Sequence, residues 1–328
     1  MDGGLRRLLG RYSQVIVWIA LATVYLVWGA TYFAIAIVVQ TLPVLLTAGL
    51  RWVLAGTILT LWIAARDRSA LRLTRPQLVG SAIVGTLLLS GGNGLVSLGE
   101  RTVPSGLAAL IVASVPLWIV LMRLAAGDRV RRDVILGVTV GIIGVGVLVV
   151  PGGASGEIEP IGLVMLVAAT LSWALGTFLS PRIRMPRLAL ASTAFQMLAG
   201  GGVMVIVSLI LGEHQRADPA TFSTSSIAAW VFLIIFGSLV AFSAYTWLLQ
   251  NAPVSLVATY AYVNPVVAVF LGTLFLAEPI TPTMIAGAAL ILAAVAFIVS
   301  RTAGATRSSS PGPASPSRSA SRSPAAPD

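Results

Sequence analysis

Few side chains in this sequence could do chemistry. Cysteine is absent and His214, in a polar loop, is the single histidine. Thiol chemistry, disulfides and thiolate metal sites are therefore excluded. No Walker A pattern, HExxH pair or GxSxG elbow occurs, and nothing gathers a nucleophile with a base, or metal ligands, at one depth. No enzymatic activity, cofactor or metal is expected. What remains is one arginine, one glutamate and a set of aromatic, amide and hydroxyl side chains inside long apolar runs. Arg51 stands near the middle of such a run, where a full charge costs about 2.5–3.5 kcal/mol on insertion scales, so something must compensate it. One reading is an anchor for a substrate carboxylate or an internal gate; the other is an arginine paired with carbonyls to fix helix packing.

Glu100 follows "GGNG" at the end of another apolar run and is the acid best placed to reach a central cavity. It reads either as a proton-coupling site or as a solvated carboxylate beside Arg101. Asn93 lies among three glycines that weaken its helix, which suits a broken helix exposing polar backbone to a ligand and equally suits close packing. Trp28, Thr31, Tyr32, Trp118, Ser172, Trp173, Thr177, Tyr245, Thr246, Trp247, Tyr260, Tyr262 and Asn264 recur at comparable places in different runs, and Gln196 falls within one residue of the counterpart of Arg51. Such residues fit a largely apolar pocket with a few placed polar groups, and aromatic faces favour ring-bearing or cationic ligands. Trp and Tyr are equally at home in interfacial belts.

The elements that must position these residues are membrane helices. Of 328 residues 57% are hydrophobic and 10% charged, with mean hydropathy +0.95, against roughly 25% charged in a soluble domain. Ten runs of about 20 apolar residues are read at 15–38, 43–64, 77–98, 104–123, 133–150, 160–181, 187–211, 226–249, 254–277 and 281–300. With no water to serve lipid-facing backbone and no dyad alternation, these are expected to be helices. Pro116 and Pro265 lie within the fourth and ninth runs, where proline kinks a helix; they are expected to act as matched hinges. Gly137 and Gly141 form a small-residue face for packing inside the chain or, less favoured, between copies. Glu278 and Asp128 are read as loop or helix-end residues. The Ser/Pro/Ala/Gly/Arg segment 301–328 is too poor in apolar residues to fold and is read as a disordered cytoplasmic tail.

The ten runs divide into two related halves. Pro104 and Pro116 stand twelve apart, as do Pro253 and Pro265; "WGATYF" from Trp28 answers "WALGTF" from Trp173; the glycine-rich run from Gly137 aligns without gaps on that from Gly287. Five spans per half make the second half enter the membrane inverted, an arrangement used for alternating access. The domains are thus a cytoplasmic N-terminus 1–14, a first repeat 15–150, a second 160–300 and the tail 301–328. The net charge of +10 does not mark a nucleic-acid patch. From a cytoplasmic N-terminus, eighteen arginines fall in inside segments and only Arg101 and Arg216 outside, so the positive-inside rule puts both termini in the cytoplasm.

"VWGATYF" at Val27, "LRW" at Leu50, "NGLVSLGERTVPSGLAALIVASVPLW" at Asn93, "SWALGTF" at Ser172 and "TYAYVNPVVAVFLGTLFLAEPIT" at Thr259 together resemble the EamA branch of the drug/metabolite transporter superfamily, in particular its YedA-type exporters. The resemblance spans 16–300. It implies an all-α, ten-helix, inverted-repeat carrier with a central cavity that exports small metabolites, amino acids or drugs without ATP hydrolysis. The expected partners are a small-molecule substrate, protons as coupling ion and membrane lipids, with the chain a monomer in the cytoplasmic membrane. Competing readings are a membrane enzyme on lipid-linked substrates, a sensor, and an uptake carrier or facilitator of the same fold.

Overall fold

The computed structural model describes residues 3–128, 130–149, 159–252, 254–257 and 259–308, and among them there are helices and turns but no strand. Among the described residues eight helices are long and apolar enough to cross a membrane: α1 (Gln14–Val38), α2 (Val44–Arg66), α3 (Arg75–Gly99), α4 (Ser105–Ala125), α5 (Arg132–Val149), α6 (Pro160–Arg182), α7 (Ala189–Ile210) and α8 (Thr224–Tyr245). Two shorter apolar helices follow, α9 (Tyr260–Leu276) and α10 (Pro282–Ile298).

Polarity is arranged inside out relative to a water-soluble protein. Ile210, Leu136, Phe275 and Phe270 are exposed, whereas Arg51, Ser114, Ser238, Thr170 and Asn264 are buried. Apolar side chains gain nothing by leaving lipid, so helices here associate through close packing and hydrogen bonds, which favours small residues at the contacts. The antiparallel pair α2 and α7 shows this where a β-carbon at Gly49 would crowd Val205 and one at Gly201 would crowd Trp52. Gly85 of α3 and Gly200 of α7 bring two backbones together, since a β-carbon at either would run into the other helix's carbonyl oxygens.

The remaining pairings set α5 against α10, α1 against α8 and α9, and α6 against α3 and α4. A β-carbon at Gly137 would meet Ile298, and one at Gly287 would meet Leu148; 287 − 137 and 298 − 148 are both 150. Gly141 is pressed on Leu117 and Ala294. The Gly137 and Gly141 face is therefore occupied by the chain's own α10 and α4.

Several expectations are corrected. α4 is not one kinked helix: it stops at Val112 and restarts at Val115. The Ser114 hydroxyl donates to the Ile111 carbonyl (2.6 Å) and accepts from Trp118 Nε1 (3.1 Å), a local alternative to the backbone ladder. Pro116 then falls in the first turn of the renewed helix, where no N–H is needed. Pro265 instead sits inside the continuous α9, so the two prolines are not equivalent. The last helix runs on to Ser308, past the boundary expected at Arg301, and the first starts at Gly3. Pro253 and the tail from 309 lie outside the described residues.

Candidate functional site

The helix starts set the frame. α3 opens with Thr74, whose N–H donates to the Gln77 side chain (2.9 Å), and α8 with Ser223, whose hydroxyl accepts from Ser226 N–H (3.0 Å). α2 and α4 begin directly after Pro43 and Pro104, with no capping side chain of their own, which leaves their first N–H groups without local partners. Acids from far along the chain serve both. Glu213 accepts from the backbone of Leu45 (3.2 Å) and Leu46 (2.8 Å), with Ser208 Oγ donating as well (2.9 Å). Glu278 accepts from the backbone of Ser105 (2.7 Å) and Gly106 (3.0 Å). Each glutamate follows a residue of positive φ, Gly212 (70°) and Ala277 (54°), which turns the chain back toward the helix it caps. Carboxylates at helix N-termini gain from the helix dipole as well as from the hydrogen bonds.

These links lie at one end of the bundle, called the glutamate end here. There Ser226 Oγ also donates to the Ile37 carbonyl (2.6 Å) and Trp230 Nε1 to that of Thr47 (2.8 Å), tying α8 to α1 and α2. At the other, arginine-rich end Asp128 pairs with Arg123 and Arg182, both at 3.1 Å.

Two helices are wound wide between these ends. α3 is a π-helix over Thr86–Gly94 and α8 over Leu233–Val240, and such stretches recur at functional sites. Their backbone is used sideways. Ser172 Oγ of α6 donates to the Leu87 carbonyl (2.8 Å), and Trp28 Nε1 of α1 to the Gly237 carbonyl (3.2 Å). The two acceptors stand 150 residues apart, and the donors come from the two Trp-bearing motifs, VWGATYF and SWALGTF.

The wide turn of α3 borders, through Gly92 and Asn93, a cavity of about 300 Å³ between the two ends of the bundle. Trp28, Thr31 and Tyr32 of α1, Arg51 of α2, Asn93 of α3, Trp173 and Thr177 of α6, Tyr245 of α8, Tyr260 and Asn264 of α9, and both Pro116 and Pro265 line it. Arg51 is 3% exposed; its Nε donates to Ser238 Oγ (2.9 Å) and its guanidinium carbon stands 4.5 Å from the centre of the Trp52 ring. Among the described residues it has no carboxylate partner within salt-bridge distance. Trp52 Nε1 donates to Asn93 Oδ1 (3.2 Å). The Asn264 amide, oriented by the carbonyls it faces, donates to Tyr25 (3.2 Å) and Tyr260 (3.1 Å).

Five residues expected in the wall are elsewhere, Ser172 being the one already placed on the Leu87 carbonyl. Trp118 bonds Ser114, the Gln196 amide donates to Ser192 Oγ (2.9 Å), the Tyr262 hydroxyl donates to the Val295 carbonyl (2.8 Å), and Trp247 packs with Leu21, Val24 and Leu248. Trp52 and Phe242 line the cavity and were not anticipated. Trp52 was legible as the aromatic neighbour of the one mid-span charge; nothing in the sequence marks Phe242. The side chain of Thr246 lies outside the described residues.

Glu100 is not in the cavity wall. It is 6% exposed at the glutamate end, and neither carboxylate oxygen has a hydrogen-bond partner among the described residues; Ser105 Oγ and Thr102 Oγ1 are unpartnered nearby in the chain. Burial, and secondly the Glu278 carboxylate, raises its pKa well above the usual carboxylate range. The folded protein therefore holds this proton more tightly than the unfolded chain, whose glutamates titrate near about 4.3. Stability from this group is present below that value and lost as pH rises through the folded pKa. In detergent, the melting temperature of the wild type should fall with rising pH relative to Glu100→Gln; parallel curves would refute the assignment.

The profile of the EamA-like transporter family matches residues 15–150 and 160–300. This chain belongs to the EamA-like transporter family. Like its relatives, this EamA-like protein is a multi-pass cell-membrane transporter and not an enzyme. It is similar to an uncharacterised inner membrane transporter, YedA, of Escherichia coli (strain K12), with 39% identity over 265 residues, 80% of this chain and 84% of the relative. It is also similar to a probable amino-acid metabolite efflux pump of Salmonella typhimurium (strain LT2), with 27% identity covering 85% and 95%. A crystal structure of a protein at 21% identity superposes on 90% of this EamA-like chain and 99% of its own with a TM-score of 0.59, a likeness of fold alone.

Proposed function

We propose that this transporter is a secondary carrier that exports small organic metabolites, amino acids or drugs across the cytoplasmic membrane by alternating access. The cavity carries the reading: it is walled by residues of both 15–150 and 160–300, and ligand sites of such carriers lie between repeats near the midplane. Ten spans in two inverted five-helix repeats account for the paired contacts at Gly137 and Gly287 and for the paired carbonyls at Leu87 and Gly237. Export is favoured by the likeness to the Salmonella relative, a probable amino-acid metabolite efflux pump. The arginine distribution favours a cytoplasmic side for both termini, with the glutamate end external. Opening outward would then part the bonds made by Glu213, Glu278 and Ser226. Glu100 is the coupling residue in this scheme, taking a proton in one access state and releasing it in the other.

Single cysteines placed at Arg72, Arg131, Arg184 and His214 of this cysteine-free chain test the topology with an impermeant thiol reagent. In intact cells only the His214 position should be labelled; labelling at the arginine positions would overturn the orientation. In reconstituted vesicles Glu100→Gln should retain substrate exchange and lose accumulation driven by a pH gradient. Accumulation equal to the wild type would remove Glu100 from the mechanism.

A further inference from the structure

We infer that the cavity selects a small organic monoanion, a carboxylate on a flat aromatic body. The inference rests on the carrier reading above and specifies what that carrier takes. The head site is Arg51. Its guanidinium is almost fully buried, makes one hydrogen bond through Nε, and has no carboxylate partner among the described residues. Among the described residues the cavity wall contains no aspartate or glutamate. A buried cation without an anion is costly and calls for one; here the wall cannot supply it, and the two remaining guanidinium nitrogens form the planar fork that suits a carboxylate. Asn93 adds a second donor, because its Oδ1 is occupied by Trp52 and its NH₂ is not. One cation supports one negative charge. A cationic ligand would meet Arg51 with no acid to offset it.

The body site runs away from Arg51 as a chain of rings. Arg51 stacks on Trp52, Trp52 stands 6.2 Å from Phe242 at 78°, and Phe242 stands 5.9 Å from Trp28 and 6.2 Å from Tyr245. Trp28 and Tyr260 are 5.3 Å apart at 83°. Edge-to-face clusters of this kind accept a further ring by offset or T-shaped contact. Beyond Arg51, toward the glutamate end, lies a void of only about 10 Å³, between Val38, Thr47, Ser97 and Trp230, which Arg51 also lines. The charged head thus sits at the closed end of the cavity with the rings behind it.

Phenylacetate, phenylacetamide and phenethylamine share a ring and differ in charge, and acetate has the head without the ring. With the purified full-length protein, quenching of tryptophan fluorescence should show phenylacetate binding roughly tenfold to a hundredfold more tightly than phenylacetamide, with phenethylamine and acetate weaker still. Arg51→Gln should bring phenylacetate down to phenylacetamide; the wild-type series decides the matter even if that variant does not fold. Equal affinity for the three ring compounds, or no binding of phenylacetate, overturns the inference. Exchange of labelled probes in vesicles separates the two readings. Equal movement of all three ring compounds leaves a carrier without the anion preference, whereas tight phenylacetate binding with no exchange supports the anion site and overturns the carrier.

Discussion

Glu278→Ala should destabilise the protein by about 2–7 kcal/mol. The change removes two charge-assisted bonds to the backbone of Ser105 and Gly106 and leaves those N–H groups at a helix start that Pro104 cannot cap. An unsatisfied buried donor costs about 1–3 kcal/mol, and loss of the favourable charge at the helix start adds about 0.3–1 kcal/mol. Glu278→Gln keeps an acceptor and should lose roughly half as much. Thermal unfolding in detergent measures both. A melting temperature for Glu278→Ala equal to the wild type would show that the cap contributes nothing.

Arg51→Ala should abolish transport while leaving the fold as stable as before or more so. A packing arginine is held by several acceptors, and its loss would empty a network. Arg51 has one hydrogen bond, to Ser238, and no ion pair among the described residues, so removing it also removes the cost of burying an unpaired charge, which in other proteins exceeds what such a charge contributes. Loss of function with gain of stability is the signature of a residue kept for its site. Membrane abundance, melting temperature and transport per molecule should be measured together. Disappearance of the protein from the membrane, with normal transport by what remains, would make Arg51 a structural residue.

Much of the architecture was legible because the membrane allows so few solutions. Apolar runs of sufficient length had to be helices. Arg51, Trp28, Asn93, Tyr260 and Asn264 could be marked because a polar group within an apolar span must face something other than lipid. That rule says a residue points inward without saying at what. Trp118, Gln196 and Tyr262 obey it by bonding Ser114, Ser192 and the Val295 carbonyl and never reach the cavity. The wide turns of α3 and α8 left no mark on the side-chain pattern, since a π-helix differs in backbone pairing. The caps were hidden for another reason: their donors are backbone N–H groups that every residue but proline owns, and their acceptors come from the other half of the chain.

That last separation bears on how the protein is made. Leu45 precedes Glu213 by 168 residues and Ser105 precedes Glu278 by 173. At about 5–20 residues per second, a ribosome needs roughly 10 to 30 s to deliver each acid after the helix that awaits it. Throughout that interval the nascent first half sits in the bilayer with the starts of α2 and α4 served only by headgroup water. A chain cut short before Glu213 keeps both starts bare, and one cut between Glu213 and Glu278 keeps one. The state of two helix ends therefore reports how much of the message has been translated, and incomplete chains carry exposed backbone donors at one membrane face by which they differ from finished ones.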